Sequence, residues 1–272
     1  MSDAVTLVLR APLDNDVEVR GVKADLLATL SEREIAALPA LIGRRQGQLG
    51  DLFHVSGGRS SKVRIEGSLK RVQCLASGMA AGELLIDGDV GDFIAANMSG
   101  GWIDVRGDAG DGAGLAMSGG ALRITGNAGH RVGAGTPGAS KGMTGGEIIV
   151  NGAAGDEVAA RARRGLVVIG GDAGEHTARA IIAGTVIVLG RTGAHAGRGS
   201  KRGSIVAIGG IDVPTTYQYA CTYQPPHVRL TLTYLYRRYG LTTDDRVLNG
   251  VFRRYCGDAG EPGKGEILEF VA

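Results

Sequence analysis

The chain has 272 residues, with 30 Lys and Arg against 28 Asp and Glu and a formal net charge of +2. Nothing in that balance calls for a nucleic acid or an acidic membrane surface as partner. The length can bury a core as one large domain or two small ones. The unusual total is 47 glycines beside only 4% aromatic residues, a composition that gives a flexible chain unless the glycines are ordered.

The N-terminal stretch MSDAVTLVLRAPLD has no basic start, apolar core or cleavage site of a secretion signal, and no apolar run reaches membrane-spanning length. Cys74, Cys221 and Cys256 stand far apart with no zinc spacing, which reads as reduced thiols in a cytoplasmic protein. VTLVLR reads as a strand. LSEREIAALPALI carries a capping box, Ser31 with Glu34, and a Leu30 and Ile35 staple, with Pro39 expected to end the helix. Residues 1–58 are therefore expected to form a small α/β cap.

From Lys62 onward a unit of 19 residues recurs, as in ELLIDGDVGDFIAANMSGG from 83, WIDVRGDAGDGAGLAMSGG from 102 and LVVIGGDAGEHTARAIIAG from 166. Each unit opens with apolar second and fourth positions, such as Ile103 and Val105 or Val167 and Ile169. Period two with β-branched residues means a half-buried strand, and a unit this short has to stack on its neighbours to bury that face. The spacing predicts an all-β fold, a right-handed parallel β-helix over 59–210, with equivalent residues about 4.8 Å apart from coil to coil. Glycine fills the sixth place of every unit, at Gly67, Gly88, Gly107, Gly126, Gly152, Gly171 and Gly190, the ninth place of all but the first and the last place of every full unit, where repeated corners with positive φ would need it. Met79, Met98, Met117 and Met143, continued by Ala162, Ile181 and Ser200, share one register and read as a core ladder.

The tail, 211–272, holds all seven tyrosines and reads as an aromatic arm whose segment VRLTLTYLYRRYG forms a helix stopped at Gly240. The third position of the strands runs Arg64, Leu85, Asp104, Arg123 and then Ile149, Val168, Ile187 and Val206. Four stacked aliphatics on an outward face are an interface candidate. Either a separate subunit or the chain's own C-terminal helix would cover them.

Other candidate sites weigh less. His54, His130, His176, His195 and His227 share no ligand spacing, although the 19-residue offset brings His176 and His195 together. Asp92, Asp111, Asp156 and Glu175, interrupted by His130, occupy the tenth place of their units. They read as turn residues accepting backbone N–H groups more readily than as a calcium column. GAGTPG at 133–138 matches a dinucleotide fingerprint by letter only, because it lies in a seven-residue insertion and not in a βαβ unit. With His130, Arg131 and Lys141 at its base it reads as a protruding contact loop. A basic edge gathers Arg161, Arg163, Arg164, Arg179, Arg198, Lys201 and Arg202, and the tail adds Arg237, Arg238, Arg253 and Arg254. No residue presents a nucleophile or base with an oriented partner, so the chain reads as non-catalytic.

The glycine repeat resembles the β-helical C-terminal domain of the large polypeptide of glutamate synthase. LGDLFHVSG at 49–57, FRRYCGD at 252–258 and GKGEI at 263–267 carry a closer resemblance, over the whole chain, to the C subunit of formylmethanofuran dehydrogenase and of the bacterial formyltransferase/hydrolase complex. That resemblance implies a structural subunit beside amidohydrolase, formyltransferase and further subunits in one-carbon metabolism. It implies a methanofuran-like carrier and tetrahydromethanopterin as the complex's cofactors, with metal held by the amidohydrolase. The basic edge reads either as a solvated corner or, like the tail arginines, as a face for an acidic partner surface or for the polyglutamate that the resemblance implies on the carrier. Two alternatives stay open: a stand-alone carbohydrate- or acyl-modifying β-helix enzyme, and a glutamate-synthase-like domain of another amidotransferase.

Overall fold

The structure, a computed structural model, describes residues 4–271. The first elements are β1 (Val5–Leu9), β2 (Val17–Glu18), α1 (Ala24–Leu27), α2 (Glu32–Ala36), β3 (Pro39–Ile42), β4 (Arg45–Gln48), α3 (Leu49–Leu52) and β5 (Phe53–Ser56). At the start of α2 the Glu34 carboxylate accepts the Ser31 N–H at 2.8 Å and its hydroxyl at 2.6 Å, as the capping-box spacing predicts. The helix is a single short one, and Pro39 opens a strand that pairs antiparallel with β4.

Nine strands follow: β6 (Lys62–Glu66), β7 (Val72–Gln73), β8 (Glu83–Asp87), β9 (Trp102–Val105), β10 (Ala121–Ile124), β11 (Glu147–Val150), β12 (Leu166–Ile169), β13 (Thr185–Val188) and β14 (Ser204–Ala207). Pairing is parallel and in the register of the repeat: Ile103 with Leu122, Leu122 with Ile148, Ile148 with Val167, Val167 with Val186. The seven-residue insertion leaves this ladder intact, because it is taken up after the strand. A second column of parallel bridges links Leu69, Val90, Ala109, Ala128, Ala154, Ala173 and Thr192. Each unit thus touches its neighbours along two walls.

The arm comprises β15 (Gln218–Tyr223), α4 (Pro226–Tyr239), α5 (Asp245–Leu248), β16 (Phe252–Gly257) and β17 (Gly265–Phe270). Strand β17 pairs parallel with β14, so the arm lengthens the sheet to thirteen strands in the order β15-β16-β17-β14-β13-β12-β11-β10-β9-β8-β6-β1-β5. A smaller sheet runs β4-β3-β2-β7. The molecule is mostly β with one large, mainly parallel sheet.

The inward positions form one core. Met79, Met98, Met117 and Met143 are fully buried, and Ala162, Ile181 and Ser200 continue the column. Each buried aliphatic or methionine side chain contributes roughly 1.5–3 kcal/mol relative to exposure.

The corner glycines require a correction. Of the seven sixth-place glycines, Gly67 and Gly88 have positive φ, at 122° and 145°, while Gly107, Gly126, Gly152, Gly171 and Gly190 do not. At Gly126 a Cβ would meet the backbone of the preceding unit, 2.8 Å from the Gly107 oxygen. Close approach of stacked backbones, and not handedness of the dihedral, excludes a side chain there. Positive φ is found at the glycines that close the units, Gly82, Gly101, Gly120, Gly146, Gly165 and Gly184, and left-handed residues also occur at alternate places before them, such as Glu157, Ala159 and Arg161, with φ of 59°, 53° and 60°. Their N–H groups bond alternately forward and back, Glu157 to Glu175 O at 2.8 Å and Ala159 to Val132 O at 2.7 Å. Bonds to both neighbours hold a conformation that otherwise costs about 1–2 kcal/mol per residue.

Candidate interaction surfaces

The apolar stripe is closed by the chain itself. Val228, Leu232, Leu235 and Tyr239 recur every three or four residues, which makes one face of α4, and all four are buried. They pack on Ile149, Val168, Ile187 and Val206, together with Phe252 and Leu268. Ile149, Val168, Ile187 and Val206 are at most 1% exposed, so of the two covers left open, a separate subunit and the chain's own C-terminal helix, the helix is the one found. Pro226 sits in the first turn of α4, and Gly240, left-handed with φ 68°, donates to Tyr236 O at 2.9 Å to end it.

The end of α4 builds a cluster that the sequence did not reveal. The Tyr239 ring stacks on Trp102 at 5.6 Å, and the Arg238 guanidinium lies 5.4 Å from the Trp102 ring. The Tyr234 hydroxyl donates to both Glu147 oxygens at 3.0 and 2.9 Å, and the Tyr239 hydroxyl donates to the same carboxylate. Burial first, and then the Glu147 carboxylate, push the Tyr239 phenol far above its ordinary value. The repeat units contain no tyrosine, yet the helix lays two against them.

Carboxylates of the corners form side-chain ladders. Asp92 accepts the N–H of Asp111, Asp111 that of His130, and Asp156 that of Glu175, each at 2.8 Å. His130 fills its rung through Nδ1, which accepts the Asp156 N–H at 2.9 Å. A second ladder runs through Asp89, Asp108 and Asn127, with Asp172 accepting the N–H of Arg191 further along. The acids that looked like turn residues are therefore couplers between units. Among the described residues no group of three His, Cys, Asp or Glu is placed to hold a metal ion.

The basic edge is partly neutralised from within. Arg161 donates to the Ala139 carbonyl and Arg131 to the Gly135 carbonyl, both at 2.7 Å, so these two hold the inserted loop. Arg179 meets Glu157 at 3.2 Å and Lys201 meets Glu261 at 3.9 Å. A cleft of about 330 Å³ opens beside the loop, lined by Arg131, Arg161, Arg179 and Glu157. His176 and His195 stack at 5.2 Å, as their spacing predicts. Arg163, Arg164 and Arg202 are exposed at the rim. In the tail, Arg254 pairs with Glu266 at 2.7 Å and Arg253 with Glu269 at 3.8 Å, while Arg237 is exposed.

Asp258 locks the arm to the last unit. Its Oδ2 accepts the Gly199 N–H at 2.9 Å and its Oδ1 the Gly260 N–H at 3.0 Å. Burial pushes this carboxyl up, but those N–H groups, the Thr216 hydroxyl and Arg198 together outweigh it and hold the group below its usual range. Tyr217, buried at the same end, donates to Gly197 O at 2.8 Å, and burial raises its phenol to about 12.

No family model matches the chain. The C subunit of the molybdenum-containing formylmethanofuran dehydrogenase 1 of Methanothermobacter marburgensis is 34% identical over 87 residues, 31% of this chain and 22% of that protein. The C subunit of the formyltransferase/hydrolase complex Fhc of Methylorubrum extorquens is 35% identical over 86 residues, 32% of each. These alignments span less than a third of either relative. A solved structure extends the comparison to the whole chain: one chain of the Methylorubrum extorquens formyltransferase/hydrolase complex FhcABCD, crystallised with methylofuran, superposes with a TM-score of 0.87. The identity is 33%, covering 98% of this chain and 100% of that one. The chain therefore belongs to the family formed by the C subunits of the formylmethanofuran dehydrogenases and formyltransferase/hydrolase complexes.

Proposed function

We propose that this protein is a non-catalytic subunit of a formyltransferase/hydrolase complex, a right-handed parallel β-helix that braces amidohydrolase and formyltransferase subunits. The observation that carries the reading is the end-to-end superposition on a chain of such a complex. Its shape supports it: parallel registers 19 residues apart give a stiff body, and the corner ladders tie each unit to the next. In this reading 1–58 cap one end, 59–210 form the helix and 211–272 form the arm. The complex would pass a formyl group between a tetrahydropterin such as tetrahydromethanopterin and a methanofuran-like amine, with the metal in the amidohydrolase partner and all components in the cytoplasm. Among the described residues no helix is long and apolar enough to cross a membrane.

Co-purification of the tagged full chain tests the reading. Recovery with amidohydrolase and formyltransferase subunits supports it; recovery alone with activity on a carbohydrate or acyl substrate, or recovery with glutamine-dependent partners, replaces it. Arg163, Arg164, Arg198 and Arg202 are exposed members of the basic edge open to an acidic partner surface or a polyglutamate chain. Reversing Arg163 and Arg164 to Glu weakens polyglutamate binding by the complex at low salt and flattens its salt dependence; unchanged binding removes this role. Arg161 is left intact in that test because it holds the loop.

A further inference from the structure

The two sheets end in four strands, and one of them differs from the rest. Strand β5 has Phe53 and Val55 buried, β7 has two residues, and β4 carries Arg45 and Gly47. Strand β15 is six residues long, QYACTY, with no charge and no proline. Five of its six residues are exposed, and Tyr219 is 58% exposed. Its backbone pairs only with β16, and no other backbone group among the described residues bonds to it.

An uncharged open edge of this kind is a template for another strand, and folded proteins normally blunt such edges with charge or cover. The other devices are present at the other edges and absent here, save one. The register shifts between Tyr219 and Cys221, which leaves Ala220 without a partner in β16. This bulge lies at the middle of the strand. Two copies pairing about a two-fold axis would bring two bulges against each other at that axis, where each disrupts the ladder. A strand from a different chain, without a bulge, avoids the conflict.

Helix α4 covers the sheet over Ile149, Val168, Ile187 and Val206 and reaches Phe252 of β16, and of β15 only Tyr223 packs against that cluster while Gln218–Thr222 stay exposed. One strand in from the edge, Arg253 of β16 stands opposite Thr222; it pairs with Glu269 at 3.8 Å and keeps half its side chain exposed, so an acidic side chain of the incoming strand that reaches over Thr222 shares this cation. Tyr219 is already held in place by its edge-on contact with Tyr255 at 6.0 Å and its hydroxyl contact with Thr222 at 2.9 Å.

We propose that β15 is an acceptor edge, and that an extended strand of another subunit of the complex, bearing an acid near Arg253, adds to the large sheet along Gln218–Tyr223. This rests on the reading that the chain is a subunit of a hetero-oligomer.

Cys221 provides the probe, since it lies on this edge and is exposed, while Cys74 is buried. The full chain alone and the purified complex are alkylated with a maleimide, and labelling rates are read by peptide mass spectrometry. Cys221 is expected to react rapidly in the isolated chain and about tenfold or more slowly in the complex, with Cys74 slow in both. Equal Cys221 rates in chain and complex overturn the proposal. So does protection of Cys221 in an isolated chain that runs as a dimer, because the occupant is then a second copy. Failure to recover any partner subunit shows instead that the reading as part of a complex is wrong, and the strand addition falls with it.

Discussion

The Asp111 carboxylate accepts the backbone N–H of His130 at 2.8 Å, one unit further along the chain. The acid is therefore a coupler between units, not a decoration of its own turn. Asp111→Ala is expected to lower unfolding stability by about 0.5–1.5 kcal/mol, with Asp111→Asn retaining most of it, because an amide oxygen still accepts. Urea unfolding of the two variants measures this. Equal losses would mean that the acceptor is not what matters.

Stacked backbones leave no room at Gly126, where a Cβ would come 2.8 Å from the Gly107 oxygen. Gly126→Ala is expected to cost about 1–3 kcal/mol or more through overpacking. Gly260 is a fitting control, since a Cβ there meets nothing closer than 3.5 Å and its φ is not left-handed. Gly260→Ala is expected to change stability by no more than about 0.5 kcal/mol. Thermal melts of both variants, side by side, decide whether crowding is the cause.

Helix α4 seals the aliphatic stripe through Leu235, which is fully buried. Leu235→Ala in the isolated chain is expected to cost about 2–5 kcal/mol, as for other buried leucines. A loss that appears only in the assembled complex would return the stripe to a partner subunit.

Asp258 gives the fold an acid dependence of definite sign. Its folded value is held below the ordinary one by the Gly199 and Gly260 N–H groups, the Thr216 hydroxyl and Arg198, against the opposing effect of burial. A depressed carboxyl contributes in full above its unfolded value of about 3.9, and the contribution is lost as pH falls through the folded value. Asp258→Asn should be less stable near neutrality, and its stability should change less with pH on the acid side. Urea midpoints from about pH 6 to about pH 3 test this. Parallel curves for the two proteins would show that the group does not titrate on unfolding.

Much of the molecule was legible in the letters because the repeat is local. A short strand with apolar second and fourth positions has to stack, so the parallel registers of Ile103, Leu122, Ile148 and Val167 follow from periodicity alone. The Met79 to Met143 column, the capping box at Ser31 and the stop of α4 at Gly240 rest on the same short-range logic. The corner glycines were read as one class with positive φ; that holds at the closing positions such as Gly101 and Gly120, whereas Gly107 and Gly126 are crowded by the unit below, and a letter does not distinguish the two.

Only the folded chain could decide what covers Ile149, Val168, Ile187 and Val206, because the helix that does so lies well beyond the last of them in sequence and its direction over the sheet is not encoded in any spacing. The same holds for Trp102, which meets Tyr239 from the far side of the repeat, and for Asp258, which reaches back to Gly199. Periodic, short-range constraints determine which surfaces a repeat must bury; how the non-repeating arm returns to them depends on side-chain packing between segments distant in sequence, and that is settled only in three dimensions.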